Sequence, residues 1–242
     1  MKDFSVEHSG IHGILLDIEG TTTPISFVYD ILFPFSRTEL AGYLRLNGYQ
    51  PHVREILSQI QWDHAADSEA GQDPPQWEDP PLKYIHWLME HDRKLTGLKA
   101  LQGVIWENGY RSGRLYGQVF SDVVPALQRW RKGNLDVRIF SSGSVLAQRL
   151  LFENSEHGNL TPMLHGYFDT TIGPKSDSES FRKIARAFGL PASQIMFISD
   201  VTAELDAAKE AGYATLLCVR PGNRPQGEHA HQTISSFDEI QD

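Results

Sequence analysis

Short apolar runs and longer mixed stretches divide the chain unevenly. Four runs read as strands: 13–18 (GILLDI), 136–142 (DVRIFSS), 194–199 (QIMFIS) and 214–219 (ATLLCV). The last three alternate with helical patterns at 123–133, 143–155, 178–189 and 202–212. Two of these helices close on Gly189 and Gly212, residues that suit helix ends. Strands alternating with helices of this length predict a parallel sheet with helices on both faces.

From Pro24 to Gly117 the pattern changes. No convincing strand occurs, and four amphipathic stretches at 27–46, 52–65, 82–95 and 97–110 predict helices. A polar, proline-rich connector, SEAGQDPPQWEDPP, separates the second from the third. The chain therefore reads as an α/β core (1–23 and 118–242) interrupted after its first strand by an all-helical cap (24–117). Ligands of open parallel sheets bind beyond the carboxyl ends of the strands. An insert that begins at that edge is expected to act as a lid. No internal repeat or low-complexity tract is evident.

Composition narrows the function. At 242 residues with 40% hydrophobic and 22% charged residues, the chain has ample material for a globular core. A net charge of −9 argues against nucleic acid as a partner, which needs clustered Lys and Arg, but leaves room for a small phosphorylated substrate. The one cysteine, Cys218, excludes an internal disulfide and reads as a small core residue in ATLLCVR. The opening MKDFSVEHSG lacks an apolar signal core, and no run approaches the ~20 residues that span a bilayer. A cytoplasmic protein without a membrane partner is expected.

The chemistry gathers at the strand ends. The first strand delivers Asp17, Glu19 and Thr21; the second delivers Ser141 and Ser142 before a glycine and a helix start. Ser199 and Asp200 follow the third, and Lys175 stands shortly before a helix. Acids held close together, as Asp17 and Glu19 are, are costly unless something cationic lies between them. Phosphoryl transfer supplies such a group. Mg²⁺ accepts carboxylates, backbone carbonyls, waters and phosphate oxygens, with Asp17 and Asp200 as its side-chain ligands. Asp17 is also a candidate nucleophile that forms an aspartyl-phosphate. Ser141 or Ser142, with amides at a helix N-terminus, suits anionic oxygens, although the pair also reads as an N-cap. Lys175 would neutralise remaining charge, and Glu19 would protonate the leaving oxygen and later activate water.

Other candidates are weaker. GPKS lacks the upstream glycine of a nucleotide-binding loop. His86 and His91, five apart, do not share a helix face, and EHAHQ reads as a solvated tail rather than a metal clip. Trp62, Trp77, Trp87, Trp106 and Trp130 read mostly as core, with Trp106 the candidate for lid contacts.

The series DIEGT, SSGS, Lys175 and Ser199–Asp200 resembles the haloacid dehalogenase superfamily of Mg²⁺-dependent phosphohydrolases. More narrowly, LLDIEGTTTPISFVYDILFP is similar to the opening of the bifunctional enolase-phosphatases of methionine salvage. LKALQGVIW, DVVPALQRWR, IFSSGSVLAQRLLF, GYFDTTIGPKSDSESFRKIA, DVTAELDAAKEAG and CVRPGN extend the likeness over 14–223. The resemblance implies a Rossmann-like haloacid dehalogenase core, a helical cap and a monomer. It implies enolisation and then dephosphorylation of 2,3-diketo-5-methylthiopentyl-1-phosphate. Carried over by position, Asp17, Glu19 (through its backbone carbonyl) and Asp200 hold Mg²⁺, and Ser141, Ser142 and Lys175 bind substrate. Pro174, beside the lysine, departs from the family pattern. Glu19 is the first candidate for the enolisation base and a residue of DRKLTGLKALQG the second, with Lys99 or Arg93 facing the diketone. A general phosphatase of the same superfamily and a phospho-accepting binding module are the rival readings.

Overall fold

The computed structural model describes residues 4–5 and 10–241. Its strands, in chain order, are β1 (Phe4–Ser5), β2 (Gly13–Leu16), β3 (Asp136–Phe140), β4 (Gly166–Phe168), β5 (Ile195–Ser199), β6 (Ala214–Cys218), β7 (Gln232–Ile234) and β8 (Ile240–Gln241). Six form one parallel sheet in the order β4-β3-β2-β5-β6-β7, and β1 pairs with β8 in a separate two-stranded ribbon. The α-helices are α1 (Phe33–Asn47), α2 (Pro51–Glu69), α3 (Leu82–Glu90), α4 (Thr96–Arg111), α5 (Val123–Lys132), α6 (Val145–Glu153), α7 (Ser178–Phe188) and α8 (Thr202–Glu210).

By compactness the chain divides into two units, Tyr29–Leu115 and the remainder. The larger unit is built around the sheet. Its first strand, β2, lies in the middle, with β3 on one side and β5 on the other. The chain thus runs outward from β2 through β3 to β4, then crosses to β5 and runs the other way. That reversal is a topological switch point, where the carboxyl ends of neighbouring strands part and leave a crevice. Every residue of β2 and β5 is buried, as expected of strands covered on both faces.

One face of the sheet is closed by α7 and α8. Leu15, Phe140, Phe197 and Leu217 meet Phe181, Ile184 and Leu205 there. Phe181 is the hub: its ring lies 5.6 Å from that of Phe140, 5.0 Å from Phe197 and 5.5 Å from Tyr213. Gly189 takes φ +70° and ends α7, a left-handed position that glycine occupies without strain. Cys218 is fully buried, as its sequence context predicts, and burial pushes its thiol up to about 12.

The helical unit packs α1 to α4 around Leu40, Ile60, Ile85, Leu101 and neighbours. Within it Asp67 is buried and accepts hydrogen bonds from Tyr84 Oη at 2.7 Å and Arg93 at 2.6 Å. Arg93 also stacks on Trp87, so its guanidinium is engaged within this unit. Trp106 Nε1 donates to the Leu32 carbonyl at 2.9 Å. That carbonyl closes the π-helical segment Phe27–Leu32, which the periodicity had merged with α1 into one helix. Trp62 is 75% exposed and not a core residue; the other tryptophans are wholly or partly buried.

Two further expectations change. Strands β4 and β7 are absent from the apolar runs, because three-residue edge strands are too short to show a period. The EHAHQ segment is not all solvated tail. His231 is buried, with Nδ1 2.9 Å from Thr215 Oγ1 and Nε2 3.0 Å from the Asp206 carboxylate, and Gln232 opens β7.

Replacing Phe181 by Ala should cost about 3–5 kcal/mol, through lost burial, a cavity and three ring contacts. Phe181→Leu, which keeps most of the apolar volume, should cost less. Denaturant midpoints of the two variants check the order.

Candidate active site

Asp17 is the first residue beyond β2 and is buried. Its amide still bonds to the Ile198 carbonyl of β5 at 3.0 Å, so the backbone is held in the sheet while the side chain leaves it. Both carboxylate oxygens are engaged. Oδ1 accepts from the Ile18 amide at 2.7 Å and from Lys175 Nζ at 2.6 Å. Oδ2 accepts from Ser199 Oγ at 3.0 Å.

Lys175 arrives from the loop between β4 and α7, and only 9% of its side chain is exposed. Its ammonium also lies 2.7 Å from Glu204 Oε2, at the first turn of α8. Burial alone would lower the lysine pKa, but Asp17 and Glu204 outweigh it and the net shift is upward. Lys175 is thus held as a cation. Glu204 Oε2 is in turn 3.0 Å from Ser199 Oγ. The one hydroxyl proton of Ser199 serves only one of the two acids at a time. Burial, then the charge of Asp17, push the Glu204 carboxyl upward.

Asp200, directly after β5, is also buried. Burial first, then the negative charge of Asp17, raise its pKa to about 7 despite Lys175, and Glu19 adds to the rise. Glu19 is half-buried on the same loop as Asp17. Two carboxylates therefore contact one ammonium, and those of Asp200 and Glu19 lie within electrostatic reach of the same cluster. The excess negative charge matches a hard cation that takes oxygen ligands. Among the described residues, no group of three His, Cys, Asp or Glu side chains is arranged to hold a metal. A cation here would take side-chain oxygens from Asp17 and Asp200 and complete its shell with backbone carbonyl, water or phosphate oxygen, as Mg²⁺ commonly does. The donor set fits that ion.

Ser141 follows β3, the strand beside β2, and is buried; Ser142, next along, is exposed. Ser141 Oγ accepts from the Gly143 amide at 3.2 Å. Neither serine is the helix cap that the pattern also allowed: Ser144 caps α6, accepting from the Ala147 amide at 3.3 Å. Gln148 pins the turn by donating to the Gly143 and Phe168 carbonyls at 2.7 and 2.8 Å. Asp169 connects it to the lysine loop, accepting from the Val145 amide at 3.1 Å and from Thr171.

The structure thus brings Asp17, Glu19, Lys175 and Asp200 into one electrostatic cluster, with Ser141 on the adjoining strand end. Sequence reasoning missed Glu204 as a site residue and gave Ser199 no role. An acid four residues after Asp200, at a helix start, reads in sequence as a favourable charge near the helix dipole. Its second use, clasping a lysine from another loop, has no local signal.

Known proteins resemble this chain in sequence and in fold. Residues 11–212 match the family described as haloacid dehalogenase-like hydrolase. Enolase-phosphatase E1 of Synechococcus elongatus is 49% identical over 231 residues, covering 94% of this chain and 96% of the relative. The enolase-phosphatase E1 of Pseudomonas aeruginosa is 45% identical over 230 residues, covering 95% and 98%. The chain belongs to the enolase-phosphatase E1 family of haloacid dehalogenase-like hydrolases. Among solved structures, the UTR4 protein of Saccharomyces cerevisiae is similar with a TM-score of 0.79 and 34% identity, covering 94% of this chain and 99% of that one.

Gly20, within this site, admits no side chain. Its φ is +70°, and a Cβ would lie 2.5 Å from Asp200 Oδ2 and 2.8 Å from Asn223 Oδ1. Gly20→Ala should lose about 1–3 kcal/mol from backbone strain alone, with crowding added. Gly20→Asn, which tolerates the left-handed region better, should gain little over Ala, because the crowding remains. Chemical denaturation of both variants checks this.

Proposed function

We propose that this chain catalyses the Mg²⁺-dependent enolisation and dephosphorylation of 2,3-diketo-5-methylthiopentyl-1-phosphate, giving 1,2-dihydroxy-3-keto-5-methylthiopentene and phosphate. The observation that supports it most is the pairing of 49% identity to an enolase-phosphatase E1 with the buried Asp17–Lys175–Glu204 cluster at a strand end. Asp17, Asp200 and the Glu19 carbonyl are the proposed Mg²⁺ ligands. When bound, the ion supplies Lewis-acid polarisation of a substrate oxygen and neutralises phosphate charge.

The residues of the chain have distinct roles in this reading. In the first half, Glu19, the other carboxylate of the Asp17 loop, is assigned as the base that removes the proton from the carbon bearing the phosphate ester. The C–H electron pair becomes the carbon–carbon double bond, the adjacent carbonyl oxygen takes a proton from water to become the enol hydroxyl, and Glu19 keeps its proton for the leaving oxygen. In the second half, an Asp17 carboxylate oxygen attacks phosphorus while the bond from phosphorus to the enol oxygen breaks. Glu19 gives the departing oxygen a proton, then takes one from the water that hydrolyses the aspartyl-phosphate and regenerates Asp17. The Ile18 amide, Lys175 and Ser199 fix the Asp17 carboxylate, so little reorientation precedes attack. Lys175, held protonated, offsets phosphate charge, and Ser141 with the amides leading into α6 receives phosphate oxygens. Ser142 is assigned to substrate beside it. The protein in this reading is a cytoplasmic monomer; among the described residues, no helix is long and apolar enough to cross a membrane.

Phosphate release from the diketone ester, with enol formation followed by ultraviolet absorbance, tests the proposal. Release with Mg²⁺, preceded by a transient enol and abolished by EDTA, is expected. Asp17→Asn should abolish phosphate release, and activity confined to generic esters would replace this reading with a general phosphatase.

A further inference from the structure

The CVRPGN segment stands out in the sequence but has no part in the chemistry above. It follows β6, and two of its side chains reach the loop that bears Asp17 and Glu19. That loop turns sharply. The amides of Thr21, Thr22 and Thr23 all donate to the Ile18 carbonyl, at 3.2, 3.0 and 2.9 Å, and the Gly20 amide donates to the Thr23 carbonyl at 2.8 Å. Thr22 Oγ1 reaches back to the Asp17 carbonyl at 3.1 Å, whereas the buried hydroxyls of Thr21 and Thr23 have no hydrogen-bond partner among the described residues. Such a turn leaves three successive carbonyls pointing outward, at Gly20, Thr21 and Thr22. Each is taken by a donor from elsewhere in the chain. Asn223 Nδ2 donates to Gly20 at 2.9 Å, Arg220 Nε to Thr21 at 3.3 Å, and the Phe120 amide to Thr22 at 3.0 Å.

Arg220 is itself fixed from several sides. Its side chain is 4% exposed, and Nη1 lies 2.8 Å from Asp122 Oδ2 and donates to the Ser235 carbonyl at 3.0 Å. The guanidinium carbon lies 4.6 Å from the Phe120 ring centroid and 4.8 Å from that of Phe237. Asp122 Oδ2 accepts in turn from the Phe237 amide at 2.6 Å and from Ser236 Oγ. Asn223 Nδ2 also holds the Cys218 carbonyl at 3.2 Å, and its Oδ1, like the Asp200 carboxylate, crowds the space where a Gly20 side chain would stand.

We infer that Arg220 and Asn223 are positioning residues, with Asp122 as the counter-ion that keeps Arg220 in place. They grip consecutive carbonyls of the 17–23 loop and so fix where Asp17 and the Glu19 carbonyl stand relative to Asp200. A misplacement of about 1 Å at such a site costs rate by up to about 10²-fold. A residue that sets geometry without touching substrate lowers kcat and leaves KM nearly unchanged. This inference rests on the enolase-phosphatase reading for its choice of substrate.

The test compares wild type, Asn223→Ala, Asn223→Leu and the double variant Arg220→Met/Asp122→Asn. The double variant removes both buried charges together while keeping an acceptor for the Phe237 amide, so no lone charge is left buried. Asn223→Leu keeps the size of the side chain and loses the donor without adding a charge. Expected are a kcat lower by about tenfold to 10²-fold at saturating Mg²⁺, KM within about threefold, and thermal midpoints near wild type. Amide hydrogen exchange without metal should be faster in peptides spanning 17–23 and unchanged over β3. A kcat and an exchange rate at wild-type values in both Asn223 variants would overturn the inference, as would a loss of kcat matched by an equal unfolded fraction. Should the double variant fail to fold, the Asn223 pair decides. If wild type itself leaves the diketone ester intact, the functional reading fails, and the exchange comparison still decides the bracing role.

Discussion

The ammonium of Lys175 lies between Asp17 and Glu204 at 2.6 and 2.7 Å, almost out of reach of water. Charges so placed lose hydration that costs several kcal/mol each, and only mutual attraction with complete hydrogen bonding offsets it. The three residues come from three places: the end of β2, the loop before α7 and the first turn of α8. Their contact therefore ties the sheet's central strand to two elements that follow it far along the chain. Removing any one partner from such an arrangement typically costs about 3–5 kcal/mol, because an uncompensated buried charge remains. Ser199 completes the set by bridging Asp17 and Glu204 with one hydroxyl.

The sheet makes that arrangement affordable. Parallel strands buried on both faces give a rigid apolar platform, and their carboxyl ends deliver Asp17, Ser141 and Ser199–Asp200 side by side. The platform fixes strand ends but not the loops that follow. Loop positions come from backbone accounting instead: Gln148 holds Gly143 and Phe168, Asp169 holds Val145 and Thr171, and Asn223 with Arg220 holds Gly20 and Thr21. Each of these side chains is polar, partly or fully buried, and spent on a carbonyl or amide that secondary structure leaves unpaired.

How much of this the sequence revealed depends on the range of the interaction. Strands β2 and β5 are readable because burial on both faces makes them apolar throughout, and β3 and β6 because each keeps a short apolar run; their ends could then be searched for acids and hydroxyls. Asp17 and Asp200 were read that way, and Lys175 from the loop that leads into a helix. Strands β4 and β7 stayed hidden because an edge strand of three residues has no period to read. His231 looked solvated because its neighbours in sequence are polar; the partners that bury it, Thr215 and Asp206, lie elsewhere in the chain. Trp62 erred in the opposite direction, since aromatic character alone does not say which helix face looks to solvent. Glu204 was invisible for a deeper reason. A helix-start glutamate is locally favourable, so its tertiary role leaves no conflict in the sequence to notice.

A conflict that does remain is the excess of acid. Asp17, Asp200 and Glu204 face one lysine, and the burial that holds them together also pushes the Asp200 carboxyl to about 7 and Glu204 upward. A chain selected only for stability would remove one of these carboxylates or shorten the distance to solvent. Retaining them leaves the folded protein with acids whose charged forms are disfavoured by burial. The proposed Mg²⁺ would offset that penalty, and the phosphate oxygens that follow would then meet Lys175, the metal and the amides before α6 rather than bare carboxylates. Ground-state strain and ligand affinity are in this sense one quantity: the less comfortable the acids are without a cation, the more free energy its binding releases.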